Sequence, residues 1–182
     1  MTKRWRIAFP KLNVRFGWLV FLVLAAQAVV VYVDLEDGGI LRRIVLPASY
    51  VLLLAFVALN WRRLGILVLG LGALLNFLAV TSNGGLMPAS PENLREAGLE
   101  EELVGREPGD AVLGTKDVIL EEDDTHLLFL SDRLTLGPDS GPVPPLFSVG
   151  DVIVVAGALL AVVGLMLPSV QRVRPDDEPS LT

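Results

Sequence analysis

The sequence predicts an all-α membrane protein, a bundle of four transmembrane helices with an acidic extracytoplasmic segment between helices 3 and 4. Two observations carry that prediction. Hydrophobic residues fill 52% of 182 positions and mean hydropathy is positive, yet the net charge is −6. Apolar and charged residues must therefore be segregated along the chain, not interleaved on amphipathic faces. They are segregated into four apolar runs, at residues 16–33, 44–60, 64–81 and 149–167. A bilayer core ~30 Å thick takes roughly 17 to 25 helical residues to cross, so each run is long enough. In lipid the backbone must satisfy its own hydrogen bonds, which such runs can do only as helices.

Residues 1–15 carry Lys3, Arg4, Arg6, Lys11 and Arg15 and no acid, a basic flank that belongs in the cytoplasm. A cleaved signal peptide competes for the first run, with Ala25-Ala26-Gln27-Ala28 as its cleavage site. The run continues to Val33, which suits an uncleaved anchor better. Four crossings then return Trp61-Arg62-Arg63, Arg172 and Arg174 to the inner side. The joint at 34–43 falls outside, where Arg42 and Arg43 run against the positive-inside rule. Trp18, Tyr32 and Trp61 stand where an aromatic belt would sit.

Helix 2 is expected to begin near Pro47, whose missing amide is harmless in a first turn, and to end at Asn60. The short joint that follows makes helices 2 and 3 an antiparallel hairpin. Helix 3 carries Gly65, Gly70, Gly72 and Ala73, small residues that let backbones approach in lipid, and is the expected packing hub. Asn76 in helix 3 and Gln27 in helix 1 read as interhelical hydrogen-bonding glue. Asn83-Gly84-Gly85 stops helix 3, because Asn and Gly accept the left-handed conformation of a C-cap, and Met87-Pro88 prevents a restart.

The segment 83–148 holds 14 acids against four bases. Ser90-Pro91-Glu92 opens a short helix with Ser as N-cap and Pro in the first position. Glu121-Glu122-Asp123-Asp124 reads as a solvated turn, since consecutive acids lack ligand spacing. His126, the single histidine, reads as structural. Residues 136–146 form a Pro/Gly loop back to Phe147-Ser148-Val149-Gly150-Asp151, where Ser148 caps helix 4 (149–168). The tail, 169–182, reads as disordered and cytoplasmic. The chain thus divides into a flank (1–15), helices 1–3 (16–82), an extracytoplasmic segment (83–148), helix 4 and a tail.

With no cysteine, disulfides and thiolate metal sites are excluded, and no metal or cofactor is expected. Bases confined to the membrane flanks speak for lipid attraction and against nucleic-acid binding. The expected partners are the bilayer and a membrane or extracytoplasmic protein of unspecified identity.

The residues that combine into a pattern are Asn60, Asn76, Asn83-Gly84-Gly85-Leu86-Met87-Pro88 and Phe147-Ser148-Val149-Gly150-Asp151. Together with Ser49-Tyr50 they resemble a family of small bacterial membrane proteins known only as a domain of unknown function. The resemblance implies the fold and a bacterial membrane, taken as the inner one, and no activity; the basic flanks put both termini in the cytoplasm. Lys116-Asp117, Thr125-His126-Leu127 and Phe129-Leu130-Ser131-Asp132 stand where that family has Lys-His, Thr-x-Leu and Phe-Leu-Gly-Asp. The histidine of the first pair is replaced by Asp117, and the amino-terminal end looks one helix short.

A fainter similarity is to lipoprotein signal peptidase, whose two aspartates lie in an Asp-Arg pair and at the start of the last helix. Asp132-Arg133 and Asp151 are similar in type and order. That similarity implies a catalytic dyad in which Asp132 and Asp151 share a proton and activate water. Ser148 and Gly150 stand where the peptidase has Asn and Ala, and a Gly-Asn ahead of Asp-Arg has no counterpart. The residues therefore favour a structural, accessory or partner-binding role, with the dyad peptidase as alternative. A small transporter is the second alternative, and no ionisable residue deep in a span speaks for it.

Overall fold

The computed structural model describes residues 5–8, 14–32, 39–112, 114–137, 146–166 and 169–172. Residues 34–38 of the expected first outer joint, most of the Pro/Gly loop and residues 173–182 of the tail lie outside the described residues. The described chain is mostly helical. Its helices are α1 (Trp18–Tyr32), α2 (Ile40–Leu59), α3 (Leu64–Ser82), the short α4 (Pro91–Glu96) and α5 (Val149–Met166). By length and composition α2 and α3 can each cross a membrane, while α1 and α5 are shorter apolar helices.

The four long helices pack as a series, α1 on α2, α2 on α3 and α3 most closely on α5. Glycines make that closest pair. The backbone of α5 at Leu160-Ala161 fills the place where Gly65 would carry a Cβ. Gly72 lies against Gly150 and Val154, and Gly157 against Leu69. Without water exclusion to drive association, such close approach is how apolar helices gain dispersion energy in lipid. Helix α3 is the hub its small residues predicted.

Helix α2 starts earlier than its composition suggests, at Ile40 behind Gly39 in the left-handed region (φ 80°). Pro47 therefore sits inside the helix and not in its first turn. Proline has no N–H to give the carbonyl four residues back, which here is that of Arg43. The exit turn of α3 uses the place: Gly85 packs directly on the Arg43 carbonyl, with which any Cβ would collide.

All six described strands are two to four residues long and build no large sheet. Within the outer segment, β2 (Met87–Ala89) pairs in parallel with β3 (Asp117–Ile119). The strand β4 (Leu134–Thr135) pairs antiparallel with β5 (Leu146–Phe147). At the opposite end β1 (Trp5–Ala8) pairs antiparallel with β6 (Ser169–Arg172). The expectation of a structureless tail from residue 169 is thus corrected over Ser169–Arg172, where pairing with a distant flank supplies order that local composition does not reveal.

The outer segment shares its core with the helices. Leu86, Met87, Val118 and Leu130 are buried together with Leu46, Tyr50 and Val80. A smaller cluster of Ala89, Leu94, Ala97, Val112, Ile119 and Leu146 is formed by the segment alone. One layer thus anchors the segment on the helix ends, and a second holds it together.

Candidate functional site: a buried charge cluster where the chain leaves and rejoins the helices

The first turn of α5 begins the site. Ser148 Oγ accepts a hydrogen bond from the Asp151 amide, and Asp151 Oδ2 accepts one from the Ser148 amide, both at 3.0 Å. This is a reciprocal capping box across Ser148-Val149-Gly150-Asp151, satisfying two amides that a helix start leaves open. Asn76 of α3 joins it. Its amide donates to Asp151 Oδ1 at 2.7 Å, and its carbonyl oxygen lies 2.9 Å from Ser148 Oγ. The single Ser148 hydroxyl proton can go to that oxygen or to Asp151 Oδ2 at 3.0 Å, not to both at once. Gly150 makes room for this, since a Cβ there would strike the Asn76 side chain.

Lys116 enters from the outer segment. Its ammonium lies 2.5 Å from Asp151 Oδ2 and 3.4 Å from Asp132 Oδ2, so one cation spans both acids. Asp132 is fully buried, held by its amide on the Pro88 carbonyl at 3.1 Å. Two oxygens of Asp132 and one of Asp117 are buried with no hydrogen-bond donor among the described residues. The Asp117 and Asp132 carboxyls face each other within hydrogen-bond reach, so a proton held between them answers that deficit. Burial pushes Asp132 well above the usual carboxylate range against the opposing Lys116 charge, and the neighbouring Asp117 charge pushes it further. Burial raises Asp117 as well. Burial alone would lower Lys116, but the Asp132 and Asp151 charges outweigh it and hold the ammonium well above its ordinary value.

The Asn83 to Pro88 stretch is the other half of the site. Gly84 (φ 77°) and Gly85 (φ 93°) take the left-handed turn, while Asn83 itself does not. The Gly85 amide bonds the Val80 carbonyl at 2.9 Å, the long bond of a Schellman cap. Asn83 does different work. Its side chain donates to the His126 carbonyl and accepts from the His126 amide, both at 2.8 Å, pinning the outer segment by its backbone. Asn60 repeats the device at the opposite end, clamping the Arg15 carbonyl and amide at 2.9 Å each. Met87 is completely buried and aligned with Asp117, and Phe147 aligns with Leu134 in the strand pair beside Ser148.

Asp132 and Asp151 are therefore brought together, and the other pattern residues around them serve the two crossings. Asn60 stands apart at the far end. Asp132, which beside Arg133 in the chain could be read as an ordinary surface acid paired with it, is instead buried on Lys116. Sequence reasoning missed Lys116 and Asp117 as participants. It also missed Arg42 and Arg43, whose guanidiniums donate to the Val112 carbonyl at 3.3 Å and the Gly109 carbonyl at 2.7 Å. Arg43 also donates to the Gly84 carbonyl at 3.1 Å. Signals for both existed: a lone lysine within an acidic stretch, and an arginine pair on the side where the charge rule does not want it.

Chemically, the cluster neutralises buried charge. Asp151 is matched by a cation, and the Asp117–Asp132 pair by a proton and the same cation. The ammonium takes the space between Asp132 and Asp151. Residues 11–163 of the chain match a family model described as a family of unknown function, DUF5317. No curated protein and no solved structure matches the chain.

Proposed function

We propose, for a chain that belongs to this family of unknown function, that it is a four-span integral membrane protein whose outer segment is a fixed cap that presents a surface to a membrane or extracytoplasmic partner. Membrane insertion is supported by the exposure of the helices. Only 39% of the apolar window of α2 and 44% of that of α3 is buried, where a soluble core helix would be mostly covered. Phe21, Leu24, Leu159 and Val162 are apolar and exposed on α1 and α5, which suits helices bathed in lipid. The pairing of β1 with β6 keeps the two ends on one side, in keeping with an even number of crossings.

The single observation that carries the cap reading is Lys116. It comes from the outer segment, yet its charge is answered by Asp151 on α5. Together with Arg42 and Arg43 on loop carbonyls, it ties the segment to the starts of α2 and α5. Such pins suit a rigid docking surface. The chain has no cysteine, so single-cysteine labelling is a clean test. In intact cells a membrane-impermeant thiol reagent is expected to label Asp123→Cys and to reach Arg62→Cys only after lysis. Labelling of both before lysis would refute the orientation.

The proximity of Asp132 and Asp151 favours a second reading, an aspartate-dyad peptidase. It requires that Asp132→Asn or Asp151→Asn abolish cleavage of a lipid-modified precursor, whereas the cap reading leaves processing unchanged. For transport the four long helices, as described, offer charged groups only at their outer ends, Arg42, Arg43 and Asp151, while ion pathways place them near mid-membrane.

A further inference from the structure

The outer segment carries an apolar run, Leu127-Leu128-Phe129-Leu130, whose last three residues form one turn of 3-10 helix. The turn divides its side chains between two surroundings. Leu130 is buried at 3% exposure in the core shared with the helices, whereas Leu127 and Phe129 stand out at 38% and 62%. Leu127 is also left-handed (φ 56°), a conformation that is strained for leucine and free for glycine. A glycine would make the same turn more easily and leave no side chain on its surface.

The exposed pair is held in place from both sides. Asn83 at the end of α3 clamps the His126 main chain, the Asp132 amide rests on the Pro88 carbonyl, and the turn packs on α3 and α5. The acids just upstream keep elsewhere: Glu121, Glu122 and Asp123 line a separate polar hollow with Ser90, Glu92 and Arg95. Helix length then sets the depth of the turn. With 19 residues in α3 and 18 in α5, at about 1.5 Å per residue, each helix is roughly 27 to 28 Å long. A hydrocarbon core of about 30 Å leaves neither end standing clear of the lipid. What is fastened to Asn83 therefore lies at the outer boundary of the bilayer, the end at which Leu78, Val149 and Val152 of the same helices are apolar and exposed.

We infer that Leu127 and Phe129 form a wedge seated in the outer leaflet, where headgroups meet acyl chains, and that lipid and not a protein partner covers this face of the outer segment. Lipid takes up apolar area that water penalises, and apolar faces of short membrane-surface elements sit at that level. The inference rests on the membrane reading above and names what one face of the cap takes, leaving its polar faces for a protein.

The test places single nitroxide labels on the full chain, which has no cysteine of its own, at Phe129→Cys, Asp123→Cys and Leu159→Cys, in vesicles of phosphatidylcholine and phosphatidylglycerol. The readout is the ratio of collisions with oxygen, which concentrates in lipid, to collisions with a water-soluble nickel chelate. The ratio at Phe129→Cys is expected to side with Leu159→Cys, exposed near the middle of α5, and to exceed that at Asp123→Cys. Equal ratios at Phe129→Cys and Asp123→Cys overturn the inference. So does a Phe129→Cys label shielded from both reagents, which is the sign of a protein on the wedge. Leu159→Cys separates the levels. If it too collides mainly with the chelate, the membrane reading falls and the wedge with it; if oxygen dominates at Leu159→Cys and not at Phe129→Cys, the wedge alone falls.

Discussion

Gly84 and Gly85 are neighbours with the same backbone handedness and different surroundings. At Gly84 an added Cβ meets only the tip of the Arg43 side chain, at 3.1 Å; at Gly85 it meets the Arg43 main chain. Gly84→Ala should therefore cost mainly the left-handed conformation, roughly 1 to 2 kcal/mol. Gly85→Ala adds overpacking against a carbonyl that cannot move, another ~1 to 3 kcal/mol. Thermal unfolding in detergent should rank Gly85→Ala clearly below Gly84→Ala, and equal midpoints would show that the contact with Arg43 carries no weight. The glycines announced a turn in the sequence. Their different costs depend on Pro47, which lies far away in the chain and frees the carbonyl on which Gly85 rests.

At the scale of elements, α3, α5 and the outer segment meet through Lys116, Asp151, Asn76 and Ser148. The Lys116 and Asp151 side chains are mostly buried, at 21% and 29% exposure. Removing one partner leaves an uncompensated charge, for which fully buried pairs lose about 3 to 5 kcal/mol. Lys116→Met should fall at or below the lower end of that range because water still reaches the pair. The double variant Lys116→Met with Asp151→Asn should recover part of the loss; strict additivity of the two would mean that the pair is not coupled. Ser148→Ala should cost a further ~1 kcal/mol as the loss of an N-cap. The capping box was readable from Ser-Val-Gly-Asp, since its spacing is local. Lys116 was not, because the contact spans 35 positions and the intervening chain offers no periodicity that points to it.

The charge cluster gives the whole molecule a pH dependence whose sign can be worked out. Folding raises the Asp117 and Asp132 carboxyls above their ordinary values, so the folded chain holds more protons than the unfolded one between those limits. Stability is then lost as pH rises from about 4, the usual carboxylate range, toward the raised folded values. Lys116, also raised, keeps its contribution until the alkaline range and loses it as pH climbs through its folded value. Asp132→Asn should leave the cap intact and flatten the acid-to-neutral slope, measured as unfolding midpoint against pH. An unchanged slope would show that the Asp117–Asp132 pair holds no proton in the folded state.

By itself the sequence determined the apolar helices, the hub role of α3, the Ser90 cap and the two glycine-marked ends of the outer segment. Each of these is written in neighbouring residues or in a period of a few residues. Ser90 does accept from the Asn93 amide, at 3.2 Å, as that motif requires. Only the tertiary structure decided that Asp132 is a buried partner of Lys116 and not a surface acid. It also decided that Arg42 and Arg43 fasten loop carbonyls and that Asn60 and Asn83 clamp distant backbones. The reason is physical. A charge or an amide states what it needs, a partner out of water, but the identity of that partner is set by which chain segments the packed glycines bring into reach.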